Sequence, residues 1–103
     1  MYLPEIFRQF KEDYPEILDA YQKVGDLAAK TGPADEKTKH LIQLGISIGL
    51  GSPGGARSHA RRALDAGAGK EEVLQVVLLS VTLVGFPSTV AAYRWVRDVI
   101  NEP

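Results

Sequence analysis

Two histidines, His40 and His59, carry most of the chemical potential of this chain. An imidazole titrates near neutrality, so either ring can take up or release a proton at about pH 7. Ser52 precedes His59 in "SPGGARSH" by almost two helical turns, so on a helix the hydroxyl, the small residues Gly55 and Ala56, and the imidazole share one side. In the apolar stretch before it, His40, Gln43 and Ser47 fall on one helical stripe. This pattern fits general acid/base chemistry at His59, with His40, Ser52 and Gln43 as hydrogen-bonding support. A plainer reading stands beside it: His59 as a structural imidazole bonded to a backbone carbonyl, and Ser52 as a helix cap. A serine nucleophile would need a base and a third orienting group beside it, and neither Asp65 nor Glu71 can be placed there from the sequence.

Gly54 and Gly55 leave a hollow beside His59 for a substrate, or they let two helices pack tightly; the sequence leaves both open. Arg57, Arg61 and Arg62 are read on the opposite, solvated face of the same helix, with anion binding as the alternative. Two histidines alone do not make a metal site, and Asp35, Glu36 and Asp65 have no matching ligand spacing, so neither metal nor cofactor is expected.

The chain has 103 residues, the size of one compact domain. With 12 basic and 13 acidic residues it has no global field to draw it to nucleic acid or an anionic membrane, so neither is an expected partner. It contains no cysteine, which removes disulfides, thiolate nucleophiles and sulfur-ligated metals. The start "MYLPEIFRQFKEDYPE" lacks the continuous apolar core of a secretory signal, and a cytoplasmic setting is the expectation. The most apolar run, Val73 to Phe86, is broken by Gln75, Ser80 and Thr82 and is shorter than the roughly 20 residues that span a bilayer.

Punctuation and periodicity predict about six helices and no strand, an all-α fold. Pro4 opens a first helix to residue 13, and Pro15 a second, with Ile17, Leu18, Tyr21, Val24, Leu27 and Ala28 on one face and Gly32 as a left-handed cap. Asp35 caps a third helix with a broad apolar surface of Leu41, Ile42, Gly45, Ile46, Ile48 and Gly49. Its two glycines, Gly45 and Gly49, invite the close approach of another backbone. Ser52 and Pro53 start a fourth helix that Gly67 ends. The fifth begins near "GKEEV", with Glu71 and Glu72 in its first turn, and becomes apolar on every side from Val76 to Val84, which suits a central helix or one buried between subunits. Gly85 ends it, Phe86 packs back onto its last turn, and Pro87 opens a sixth helix with Ala92, Val96, Val99 and Ile100 as its buried stripe.

From Asp35 to Trp95 the markers "KTKHLI", a histidine followed by "ALDAG", then "EEV" and "GFP" occur in an order and spacing that resemble the carboxymuconolactone decarboxylase family, which includes the alkylhydroperoxidase D proteins. The resemblance implies a single domain over 1–103, with N-terminal helices in 1–32 and a family core in 35–101. It also implies an alkylhydroperoxidase D-like helical bundle that forms a homo-oligomer, a trimer or hexamer. The hydroperoxidase branch uses a glutamate, a CxxC pair and a histidine; here those positions hold His40, Ser52 and Gly55, and His59. Serine cannot cycle through sulfenic acid and disulfide, so thiol peroxidase activity is not expected. The decarboxylase branch lacks the CxxC pair and moves protons on a small lactone carboxylate, with a carboxylate usually standing where this chain has Gly55. The implied function is cofactor-independent decarboxylation or isomerisation of a small organic acid or lactone. Its catalytic set is His59, His40 and Ser52, with Gln43 and Gly55 toward substrate; the alternative is a non-catalytic oligomeric binding or scaffold protein whose site has decayed.

Overall fold

The computed structural model describes residues 4–102; Met1 to Leu3 and Pro103, the ends of the expected 1–103 domain, lie outside them. Among the described residues every regular element is a helix: α1 (Glu5–Asp13), α2 (Pro15–Ala29), α3 (Glu36–Gly49), α4 (Pro53–Asp65), α5 (Lys70–Leu79), α6 (Val81–Val84) and α7 (Phe86–Ile100). No helix is long and apolar enough to cross a membrane. The chain divides between Pro33 and Ala34 into two compact units.

The first unit is the α1–α2 pair. Tyr14 closes α1 by donating its N–H to the Phe10 carbonyl at 2.8 Å, and Pro15, whose fixed φ suits a first helical position, starts α2. The amphipathic face expected on α2 is present but uncovered: Leu18 is buried, whereas Ile17, Tyr21, Val24 and Leu27 are all exposed. Gly32 is not left-handed, because α2 stops three residues before it at Ala29, and Thr31 Oγ1 satisfies the Ala28 carbonyl at 2.8 Å.

The second unit carries the core. Leu44 and Ile48 of α3, Ala56, Ala60 and Ala63 of α4, Val73 and Val77 of α5, and Ala92, Val96 and Val99 of α7 form one buried cluster. The alanines let α4 lie close to its neighbours, and each fully buried valine or leucine adds about 1.5–3 kcal/mol of burial. Asp35 caps α3 by accepting from the Thr38 N–H at 2.8 Å. The α3–α4 connection is a Schellman turn: Gly51, at φ 67°, lets Ser52 N–H reach the Ser47 carbonyl at 2.9 Å and its own N–H reach Ile48 at 3.0 Å. Ser52 then caps α4, so the two helices form a tight antiparallel hairpin. The same motif closes α4, with Gly67 at φ 101° as expected.

Four details depart from the sequence reading. The close approach in the α3–α4 hairpin falls at Gly55, where a Cβ would sit 2.8 Å from Ser47 Oγ. A Cβ on Gly45 would make only a 3.6 Å contact with Val76, and one on Gly49 would meet nothing. The single helix expected from Gly69 to Val84 is interrupted at Ser80, whose N–H and Oγ both turn back to the Val77 carbonyl, at 3.1 and 2.6 Å, tightening one turn before α6 resumes. This helix is not central to the chain: Val73 and Val77 are buried, while Leu78, Leu79 and Leu83 are exposed. Phe86, expected to pack back onto the preceding turn, is 70% exposed; it is the first residue of α7 and follows Gly85 at φ 90°.

Candidate functional site

The tight hairpin sets the register that brings the two histidines together. His40 lies one turn into α3, His59 midway along α4, and their Nδ1 atoms are 3.2 Å apart. The ring centroids are 5.5 Å apart with planes inclined by 28°. That separation is as long as the nitrogen contact allows, so both ring centres and both nitrogens lie close to one line. The rings therefore meet edge to edge in a near-linear N–H···N hydrogen bond rather than stacking. One proton fits between the two nitrogens. A tetrahedral metal ion would need the two lone pairs to converge on a third point instead, and among the described residues no group of three or more histidine, aspartate or glutamate side chains is arranged to hold a metal ion.

Both rings are half-buried. Burial first, then the Arg62 guanidinium and then His40, hold His59 below the ordinary histidine pKa, so its resting form is neutral. Its other ring nitrogen, Nε2, has no hydrogen-bond partner among the described residues. No buried side-chain nitrogen or oxygen there is unpartnered, so His59 Nε2 reaches solvent. At the opposite end of the pair, His40 Nε2 lies 3.5 Å from Glu36 Oε2, while the same carboxylate accepts from Lys39 Nζ at 2.7 Å.

The remaining sequence-derived residues are placed differently. Ser52 is the cap of α4; its Oγ accepts from the Gly55 N–H at 3.1 Å, and it lies about two turns, roughly 10 Å, along the helix from His59. Gly55 gives no hollow: the space where its side chain would be is filled by Ser47 Oγ and Ser52 Oγ, at 2.8 and 2.9 Å. Gln43 is exposed on α3, whereas Ser47 on the same stripe is buried. The arginines are not one solvated face. Arg57 pairs with Asp98 at 3.4 Å and Arg61 with Glu102 at 2.8 Å, tying α4 to the end of α7, and Arg62 alone of the three acts on His59. Sequence reasoning put Ser47 on the His40 stripe without seeing its packing against Gly55, and weighed Glu36 only as a metal ligand; the signal for Glu36 was its place four residues before His40.

A groove of about 350 Å³ opens elsewhere, between Leu41, Ile42 and Gly45 of α3 and Val76, Leu79 and Leu83 of α5 and α6. It is almost wholly apolar and lies on the face of α3 turned away from His40.

Residues 15–98 match the model of the carboxymuconolactone decarboxylase family, and the chain belongs to that family. Its fold is similar to the apo crystal structure of a carboxymuconolactone decarboxylase family protein from Legionella pneumophila, at TM-score 0.80 and 26% identity over 91% of this chain and 84% of that one. It is also similar to a Burkholderia xenovorans protein given the provisional name of carboxymuconolactone decarboxylase, at TM-score 0.72 and 28% identity over 93% and 78% of the two chains. An uncharacterized protein of Haemophilus influenzae is 33% identical over 57 residues, which are 55% of this chain; the match spans half the length of that relative.

Proposed function

We propose that this protein performs cofactor-independent acid/base chemistry, decarboxylation or isomerisation, on a small organic acid or lactone, with His59 as the proton-transferring group. The observation that carries this reading is the in-line His40–His59 pair, which leaves a neutral imidazole with one ring nitrogen open to solvent. In isomerisation His59 would take a proton from a carbon beside a carbonyl and return it to another. In decarboxylation His59 Nε2 would first take the proton of the substrate's carboxyl group; CO2 would then leave, and the electron pair left on the conjugated carbon would take that proton back from the imidazolium so formed. Arg62, beside His59, suits the carboxylate of such a substrate. Ser52, Gln43 and Gly55 belong to this proposal as support around the hairpin rather than as groups in reach of His59. Without a thiol, the peroxidase chemistry of cysteine-bearing relatives is no part of it.

A homo-oligomer, trimer or hexamer, is part of the same proposal, since a second subunit would cover the apolar faces of α2, α3, α5 and α6 and could wall in the histidine pair. A cytoplasmic setting completes it. One observation favours the second reading, a non-catalytic oligomeric binding or scaffold protein: within one chain the apolar groove lies away from both histidines. Turnover of a panel of small lactones and carboxylates by the wild type and His59→Ala separates the two. Loss of about 10²- to 10⁴-fold in the variant supports acid/base catalysis, and equal turnover in both ends it.

A further inference from the structure

We propose that Glu36 is a positioning residue that sets the direction of the shared proton, so that His59 donates from Nδ1 to His40 and keeps Nε2 bare as the proton-accepting atom. This deepens the reading of His59 given above and rests on it. With both rings neutral, two arrangements satisfy the 3.2 Å Nδ1···Nδ1 contact. If His40 donates, its own Nε2 must be unprotonated, and that lone pair then faces the Glu36 carboxylate 3.5 Å away. If His59 donates, His40 carries its proton on Nε2, directed at the same carboxylate, and every contact is attractive.

The charged groups around the pair agree. On α3 these are Glu36 and Lys39, and on α4 Arg62. The hydrogen bond and charge of Lys39 hold the Glu36 carboxyl below its usual range, which keeps it a pure acceptor, and Arg62 disfavours a second proton on His59. Glu36 opens α3 four residues before His40, so the first helical turn itself delivers the carboxylate to the outer nitrogen of the ring. The three side chains form a line, carboxylate to imidazole to imidazole, that ends at an open lone pair.

Long-range ¹H–¹⁵N correlation spectra of histidine-labelled protein read each ring's tautomer without any substrate. In the wild type above neutral pH, the expected result is His40 protonated on Nε2 and His59 on Nδ1. Glu36→Gln and Glu36→Ala, at an exposed position, are expected to keep the helical circular dichroism and to shift His59 to a mixture of tautomers, a change that loss of helix-start charge alone would not produce. The opposite tautomers in the wild type, or tautomers unmoved in both variants, would overturn the assignment. That outcome would leave His59 standing as an acid/base with another orienting group. Equal turnover of the lactone and carboxylate panel by His59→Ala would instead remove the function while leaving the tautomers intact.

Discussion

At 3.2 Å the two Nδ1 atoms of His40 and His59 can share one proton but cannot both carry one, so acid should act on the fold as well as on the chemistry. Burial, Arg62 and His40 lower the His59 pKa in the folded chain. Once unfolded, the same group titrates near about 6.5, so below that pH the unfolded chain binds more protons than the folded one. The contribution is complete above that value and is lost as pH falls toward the depressed folded pKa. Urea titrations at about pH 7.5 and about pH 5.5 are expected to show a lower midpoint at the acid value, with part of the difference removed in His59→Gln. A midpoint that does not move between the two in the wild type would contradict the buried neutral pair. The sequence brought both histidines into view because few residue types titrate near neutrality, and it placed them on consecutive helices. It did not show that they touch, since that depends on a three-residue connection whose geometry is set by Gly51. Nor did it single out Glu36, which reads from sequence as an ordinary acidic residue at a helix start.

The α3–α4 hairpin is the element that makes the contact, and Gly55 is where the two helices come closest. A Cβ there would meet Ser47 Oγ at 2.8 Å and Ser52 Oγ at 2.9 Å, one of them buried and the other fixed as a cap. Gly55→Ala is therefore expected to cost about 1–3 kcal/mol of stability through overpacking. Gly54→Ala, whose Cβ would meet nothing, should be neutral or stabilising by up to about 1 kcal/mol. Chemical denaturation of the two variants checks this, and equal effects would mean that the helices are not in close packing at Gly55. Helix starts and stops were legible at Asp35, Ser52–Pro53 and Gly67, where a capping side chain, Pro or Gly marks them, but not at Gly32, where α2 has already ended at Ala29. The break at Ser80 was not, because a lone serine in an apolar run reads as a tolerated helix residue until its hydroxyl is seen on the Val77 carbonyl.

On the scale of the whole molecule, membership of the carboxymuconolactone decarboxylase family and the all-α architecture were legible from the order of short markers and from helical periodicity. What periodicity could not say is which apolar faces the chain covers by itself. On α3 it marked Ile42 and Ile46, which are exposed, and passed over Leu44, which is fully buried, because the helix carries two apolar faces and only one meets α4 and α7. The exposed large apolar residues of α2, and separately of α3, α5 and α6, are the physical ground for the proposed oligomer. The proposed acid/base function nevertheless rests on one contact, the hydrogen bond between the His40 and His59 imidazoles of a cysteine-free chain. The most direct measurement is the through-hydrogen-bond ¹⁵N–¹⁵N coupling in histidine-labelled protein. A cross peak joining the two Nδ1 atoms above neutral pH, vanishing as acid adds the second proton, is the predicted result, and two rings that titrate independently with no coupling at any pH would contradict it.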